Sequence, residues 1–422
     1  MEIELNKGLI KSISILEENG YKAYIVGGFI RNKLLNFDIV DYDITTSASI
    51  DEIINLFKDY NPKLYSHNQC VNISNSGIHI EISTFKGKNI QEDLSKRDFT
   101  INSIAYSPKE GFIDPYNGIE DIKNKILKSN KSSYECFKDN PIRLLRAMRF
   151  ECIYNLNIDE NLYDGIIKYS NMINDIHPMK IQKEINPILI SNKCSYFVNK
   201  YKEIFFELFP KLKDTYGFLQ HSKWHKYDVF THTLKVIEAT KENLEIRLVA
   251  LLHDVCKPEC FYLGKDGKGH FPKHPVFGSK YAKEMLLKYS YNKIMVDRIS
   301  KLILFHDERL ECEKDIIKFI FKFGYEDLDL YFDIQRADIL GQNPDLVDRV
   351  KEIDEMEKLT YQLIKEKKVL YHKELQISLA DIKALGLINS EKIFVNILFL
   401  ILDNKIANER DVLLNFIAKL KN

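Results

Sequence analysis

Asp41 and Asp43 lie two residues apart, the spacing that turns two side chains to one face of a β-strand. Two carboxylates held together repel each other unless a cation lies between them, and a hard divalent ion with oxygen ligands meets that need. Ahead of them the apolar run Ala23-Tyr24-Ile25-Val26 ends at Gly27-Gly28, with Arg31 shortly after. A glycine turn lets backbone approach a phosphate closely, so a glycine elbow beside a metal site suits a nucleoside triphosphate. Glu81, in the stretch HIEIST, offers a third carboxylate, and Arg143, Arg146 and Arg149 recur at a spacing that shares one helix face. A second concentration of chemistry lies further on, where seven of the eleven histidines fall between His221 and His306.

These residues need a scaffold, and its elements are legible. Leu5 to Glu18 reads as a helix ended by Gly20, Ala23 to Val26 as a short buried strand, and Asp41 to Thr45 as the next strand. Ser49 with Glu52 forms a capping-box start for a helix. Val71 to Ile73 and Ile78 to Ile82 alternate like strands around Asn75-Ser76-Gly77. From about residue 136 onward the pattern is helical with no further strand run, punctuated by Pro178, Pro187 and Pro210. The dyad His253-Asp254 ends an apolar helix, Arg247 to Leu252, and Ile393 to Leu402 reads as a buried helix too short to span a bilayer. The expected fold class is α+β, a mixed α/β head followed by an all-helical remainder. The expected division is 1–126, 127–209, 210–345 and 346–422.

At 422 residues, several domains are expected. Lys+Arg and Asp+Glu are equal at 61 each, so any nucleic-acid contact must come from local basic patches. The seven cysteines form no CxxC pair and read as reduced thiols of a cytoplasmic protein. No membrane segment and no signal-peptide pattern is read from the sequence.

In order, GGFIRNKLL…DYDITTSA, RDFTINSIAY, Asp114-Pro115-Tyr116-Asn117-Gly118, DNPIRLLRAMRF and the tail stretch LQISLADIKALG with Asn408 resemble the bacterial class II tRNA nucleotidyltransferases and poly(A) polymerases over nearly the whole chain. The resemblance implies a nucleotidyltransferase head, a helical neck binding RNA and nucleotide, an HD domain and a helical tail. It implies template-independent addition of C and A to a tRNA 3′ end from CTP and ATP, with Mg²⁺ on Asp41 and Asp43. The triphosphate would meet Gly27, Gly28 and Arg31, and the sugar and phosphates Arg97, Asp98 and Asn102. The block Asp139, Asn140, Arg143, with Arg146 and Arg149, would read the nucleotide. A poly(A) polymerase is the alternative of the same class.

Two departures bear on specificity. Where the family usually has Glu-Asp-x-x-Arg, this chain has Asp139-Asn140-Pro141-Ile142-Arg143, and the Asn140 amide can donate where a carboxylate cannot. Weaker rejection of UTP is expected. Between Lys86 and Arg97 only ten residues intervene, Gly87 to Lys96; family members that finish with A carry a longer loop, so CC-only addition and full CCA addition both stay open. In the later half, His232, His253, Asp254 and Asp338 resemble the ligand set of HD phosphohydrolases, implying a divalent metal, with His274 and His306 for a phosphate or a second ion. A bound water would then be the hydrolytic nucleophile, and phosphates at RNA ends the substrate class.

Overall fold

In a computed structural model, residues 3–38, 42–65 (Tyr65 by its backbone alone), 70–384 and 390–420 are described. Asp41 and the stretch Leu385–Asn389, which includes the end of the tail motif, lie outside the described residues. The chain divides into two compact units, Met1–Ile188 and Leu189–Asn422.

The first unit is built on a seven-stranded sheet in the order β3-β4-β5-β2-β1-β6-β7. Its strands are β1 (Ala23–Val26), β2 (Tyr42–Thr46), β3 (Lys63–Tyr65), β4 (Cys70–Asn75), β5 (Ile78–Thr84), β6 (Ala105–Ser107) and β7 (Gly111–Ile113). β2 runs parallel to β5 and antiparallel to β1, so the sheet is mixed. β4 and β5 form the expected hairpin; its two loop residues, Ser76 and Gly77, both have positive φ, the geometry that matches strand twist. All four residues of β1 are buried, because both faces of this central strand are covered.

The helix Lys7–Glu18 buries Leu9, Ile13 and Leu16, and Asn6 caps it by accepting from Gly8 N. Ser49 and Glu52 make the expected capping box on Ile50–Leu56. The carboxylate of Asp114 accepts from the backbone of Gly118 and Ile119 and so starts the helix Gly118–Lys123. The ten-residue connection after Lys86 is itself ordered into a helix, Ile90–Ser95, capped by Asn89. Its Ile90 and Leu94 pack with Tyr24, Val26 and Ala105.

The second unit is helical. Val229–Ala239, Leu244–Leu252, His274–Lys288, Lys293–Phe305 and Leu328–Gly341 surround the histidine cluster, and Ser390–Leu402 and Arg410–Lys419 close the chain.

The expected strand Asp41–Thr45 is seen as β2 from Tyr42 to Thr46, with Asp41 outside the described residues. Two expectations are corrected. Short strands do occur beyond residue 136: Asn157–Ile158 pairs with Ile126–Leu127, and Tyr262–Leu263 pairs with Gly269–His270. Two-residue strands are too short for an alternating pattern to show. Pro187 does not interrupt its helix, which runs Pro178–Leu189 with the proline inside it. Ile185, Ile188 and Leu189 are fully buried, and that packing offsets the one backbone hydrogen bond a proline forfeits.

Candidate active site and metal centre

In the first unit a cleft of about 320 Å³ is lined by Gly27, Gly28, Arg31, Asp43, Lys86, Lys96, Arg97, Asp98, Asn102, Asn140, Ile142, Arg143 and Arg146. Ten of the residues singled out from the sequence thus share one cavity. Its walls carry six cationic side chains against two carboxylates, an imbalance that favours an anionic ligand.

The elbow at the end of β1 needs glycine. Gly27 has φ +71°, and a Cβ there would stand 3.1 Å from Asp43 Oδ2 and 3.4 Å from Arg97 Nη1. Asp43 is registered with Glu81 across the parallel pair β2 and β5, so the two carboxylates share a sheet face. Burial, followed by the Glu81 carboxylate, pushes the neighbouring Cys70 thiol up to about 12.

Asp98 is the hub of the floor. It is buried, and it accepts from Arg146 Nε at 2.8 Å, Asn102 Nδ2 at 2.8 Å and its neighbour Phe99 N at 2.9 Å. Burial alone would raise its pKa; the Arg146 charge and these hydrogen bonds outweigh it and bring the carboxyl down to about 2. Asn102 Oδ1 in turn accepts from Arg31 Nη1 at 2.6 Å. Arg31 also donates to Asn32 and to Tyr154 Oη, and stacks on Phe150 and Tyr154. Arg31, Asn102, Asp98 and Arg146 therefore form one connected chain of side chains.

Arg143 lies against backbone, donating to Lys96 O at 2.6 Å and Cys136 O at 3.3 Å. Asn140 sits at the exposed rim, its Oδ1 3.4 Å from Ile142 N. Asp139 and Arg149 are not brought into the cleft. Asp139 pairs with Lys131 at 2.6 Å, and Arg149 pairs with Glu184 at 2.6 Å while covering the Phe150 ring.

The sequence reading passed over Asp93. It is fully buried and holds Arg97 through Nε at 3.0 Å and Nη2 at 2.9 Å. Its spacing of four residues from Arg97, which follows the helix Ile90–Ser95, was the available signal. Tyr154 was missed as well, since nothing in its spacing ties it to Arg31.

In the second unit four imidazoles converge on Asp254. His232 Nε2 and His253 Nε2 stand 3.4 and 3.2 Å from Asp254 Oδ2, and His274 Nε2 and His306 Nε2 stand 3.3 and 3.5 Å from Oδ1. Asp338 Oδ1 lies 3.1 Å from His232 Nε2. Every one of the four rings has Nδ1 beside a backbone carbonyl: Gly341 for His232, Ala250 for His253, Phe271 for His274 and Ile303 for His306. An Nδ1–H held by a carbonyl leaves the Nε2 lone pair facing inward, the tautomer a metal ligand requires.

Asp254 is buried at the centre of the cluster, and the groups His232, His253, Asp254 and Asp254, His274, His306 each bring ligand atoms close enough to share an ion. This donor set fits a divalent metal. Against burial, which lowers it, the carboxylates of Asp254 and Asp338 raise the His232 pKa to about 9, and both carboxyls are held well below their usual range. Lys257, missed in the sequence although one turn beyond Asp254, lies 2.7 Å from Asp254 Oδ2 and donates to Gln220 Oε1 at 2.9 Å.

Residues 23–128 match the poly A polymerase head domain, and residues 229–364 match the HD domain. The chain joins a poly A polymerase head domain to an HD domain. The resemblance read from the five sequence blocks holds, and both domains are of divalent-metal-dependent kinds.

Among curated relatives, a CC-adding tRNA nucleotidyltransferase of Halalkalibacterium halodurans is 32% identical over 46% of this chain and 51% of its own length. A CCA-adding enzyme of a Geobacillus species is 32% identical over 49% of this chain and 55% of its own. The chain spans about half the length of these relatives. The fold extends further. The Bacillus stearothermophilus CCA-adding enzyme in complex with CTP superposes with a TM-score of 0.60 at 18% identity, over 98% of this chain and 97% of that one. The Thermotoga maritima CCA-adding enzyme complexed with tRNA gives 0.57 at 18% identity, over 98% and 94%. The α+β fold, head first and helices after, is that of these enzymes. Among the described residues no helix is long and apolar enough to cross a membrane.

Proposed function

We propose that this chain is a template-independent tRNA 3′-end nucleotidyltransferase of the cytoplasm, adding C and A from CTP and ATP. The observation that carries the reading is the cleft in which six cationic side chains and a positive-φ glycine elbow surround Asp43 and Asp98. That combination suits a triphosphate beside a metal site. Relatives named for CC and for CCA addition lend the substrate class.

In this reading Asp41 and Asp43 hold the divalent ions, taken as Mg²⁺, with Glu81 registered beside Asp43. Bound there, the ions would lower the pKa of the attacking 3′-hydroxyl and neutralise the leaving pyrophosphate. Gly27 and Gly28 give the triphosphate backbone contact, and Arg97 gives it charge. Asp98 and Asn102 face the sugar, and Asn140 and Arg143 face the base. Arg31 and Arg146 brace Asp98 and Asn102, while Asp139 and Arg149 act from outside the cleft. The working division is head 1–126, neck 127–209, HD domain 210–345 and tail 346–422, with RNA gripped by neck and tail through phosphates and shape. The short helix Ile90–Ser95, in place of a long loop, keeps a stop after CC open beside full CCA addition. Asp41→Ala and Asp43→Ala should abolish nucleotide addition; addition at the wild-type rate by either would refute the reading.

A second activity is favoured by one specific feature, the buried Asp254 carboxylate set among four inward-facing Nε2 atoms. Metal held by His232, His253, Asp254 and Asp338, with His274 and His306 on the other side of Asp254, would activate water against a phosphate at an RNA end. Release of phosphate from a 2′-phosphorylated oligonucleotide, or opening of a 2′,3′-cyclic phosphate to a phosphomonoester, lost in His253→Ala and kept in Asp43→Ala, tests it.

A further inference from the structure

We propose that Asp93 is a positioning residue that aims Arg97 at the triphosphate end of the cleft. The inference rests on the nucleotide reading of that cleft. Asp93 is 1% exposed, yet none of its polar capacity is wasted. Oδ2 accepts from Arg97 Nε at 3.0 Å and lies 2.9 Å from Nη2. Oδ1 accepts from Lys86 N at 3.0 Å and from Thr45 Oγ1 at 3.4 Å.

The consequence lies in the third nitrogen. With Nε and Nη2 on Asp93, Arg97 is left with Nη1 facing the glycine elbow, 3.4 Å from where a Cβ on Gly27 would stand. Asp43 Oδ2 lies 3.1 Å from that same point. Two contacts to one carboxylate fix the plane of the guanidinium and turn its remaining nitrogen toward the elbow, where a triphosphate would lie.

Asp93 also ties three pieces of the cleft together. Thr45 is two residues beyond Asp43 on β2, Lys86 follows the end of β5, and Arg97 follows the helix Ile90–Ser95. The apolar neighbours Ile90 and Leu94 already dock that helix on the sheet, so its attachment does not require a buried charge. Burying a carboxylate is costly unless it is fully paired, and the group it pairs here is a cleft residue. Lys86, its backbone fixed by the same carboxylate, brings a further ammonium to the wall.

The test is a double-mutant cycle read as binding of CTP with Mg²⁺ by calorimetry on the full chain, using Asp93→Asn, Arg97→Ala and both together. Each single change should weaken binding about tenfold, the scale of one charge-assisted hydrogen bond. The double variant should bind no more weakly than Arg97→Ala, since Asp93 acts through Arg97. A role confined to stability gives independent effects that multiply, and that outcome overturns the inference while leaving the nucleotide reading intact. A wild-type chain that binds no triphosphate overturns both. Should Asp93→Asn not fold, Arg97→Lys reads the same coupling. A lysine that bonds Asp93 has no second nitrogen for the elbow, so CTP binding should fall as far as in Arg97→Ala; retention within about twofold overturns the inference.

Discussion

Arg146 Nε donates to Asp98 Oδ2 at 2.8 Å, joining the helix Ile142–Tyr154 to the RDFTIN segment at the floor of the cleft. Because both oxygens of Asp98 are bonded inside the protein, the carboxylate is fixed before any sugar arrives. Asp98→Asn should lower kcat/KM for nucleotide addition by about 10- to 100-fold, the value of a lost charge-assisted bond. Steady-state rates with a tRNA lacking its 3′ end would check this; a loss under twofold would exclude Asp98 from the site.

The same bond makes stability fall with acid. The folded carboxyl titrates at about 2 and an unfolded aspartate near 3.9, so between those values the unfolded chain binds more protons. The contribution of Asp98 is complete above about pH 4 and is lost as pH falls toward 2, an effect on the order of 2 kcal/mol. Denaturant midpoints between pH 5 and pH 2 should show a shallower acid slope in Asp98→Asn than in the wild type.

Asn140 offers both an acceptor and a donor at the rim of the cleft. Asn140→Asp should sharpen discrimination, cutting UTP incorporation relative to CTP by about tenfold, the value of one unpaired polar group. Single-turnover incorporation of each triphosphate measures the ratio. An unchanged ratio would remove Asn140 from base selection.

Arg149 and Arg97 should separate. Arg149 spends its Nε on Glu184 and covers Phe150 outside the cleft, so Arg149→Ala should cost about 1–2 kcal/mol of stability and leave KM for CTP within about twofold. Arg97→Ala should instead raise KM for CTP about tenfold, and because it leaves the buried Asp93 carboxylate without its cation it should lower stability too.

Removing metal should destabilise the HD domain. A shared cation would stabilise four inward-facing imidazoles and two buried carboxylates, and any ion bound to the folded form raises the melting midpoint by mass action. Dialysis against a chelator should lower that midpoint by several degrees, Mn²⁺ or Zn²⁺ should restore it, and His253→Ala should show neither response.

Much of this could be read from the chain because the decisive residues are local in sequence. Gly27, Gly28 and Arg31 follow one strand, Asp98 and Asn102 share one turn, and the alternation of β4 and β5 is intact. What escaped was long-range or very short. Tyr154 meets Arg31 across 123 positions, a partnership no periodicity encodes. Asp93 looks like any acidic residue of a short surface helix until the fold buries it. The carbonyls that set the four histidine tautomers are backbone groups and leave no mark on residue type. Arg149 shares the spacing of Arg143 and Arg146, but a drift of three residues per step carries it round the helix to Glu184.

The most direct measurement gives the purified chain a tRNA lacking its 3′ terminus, Mg²⁺, and CTP, ATP and UTP singly and together, with products resolved to single nucleotides. Addition of two C residues, followed by a stop or by one A and then a stop, is the expected result. No C addition by the wild-type chain, or an unending run of A, would contradict the assignment of this cleft to tRNA 3′-end synthesis.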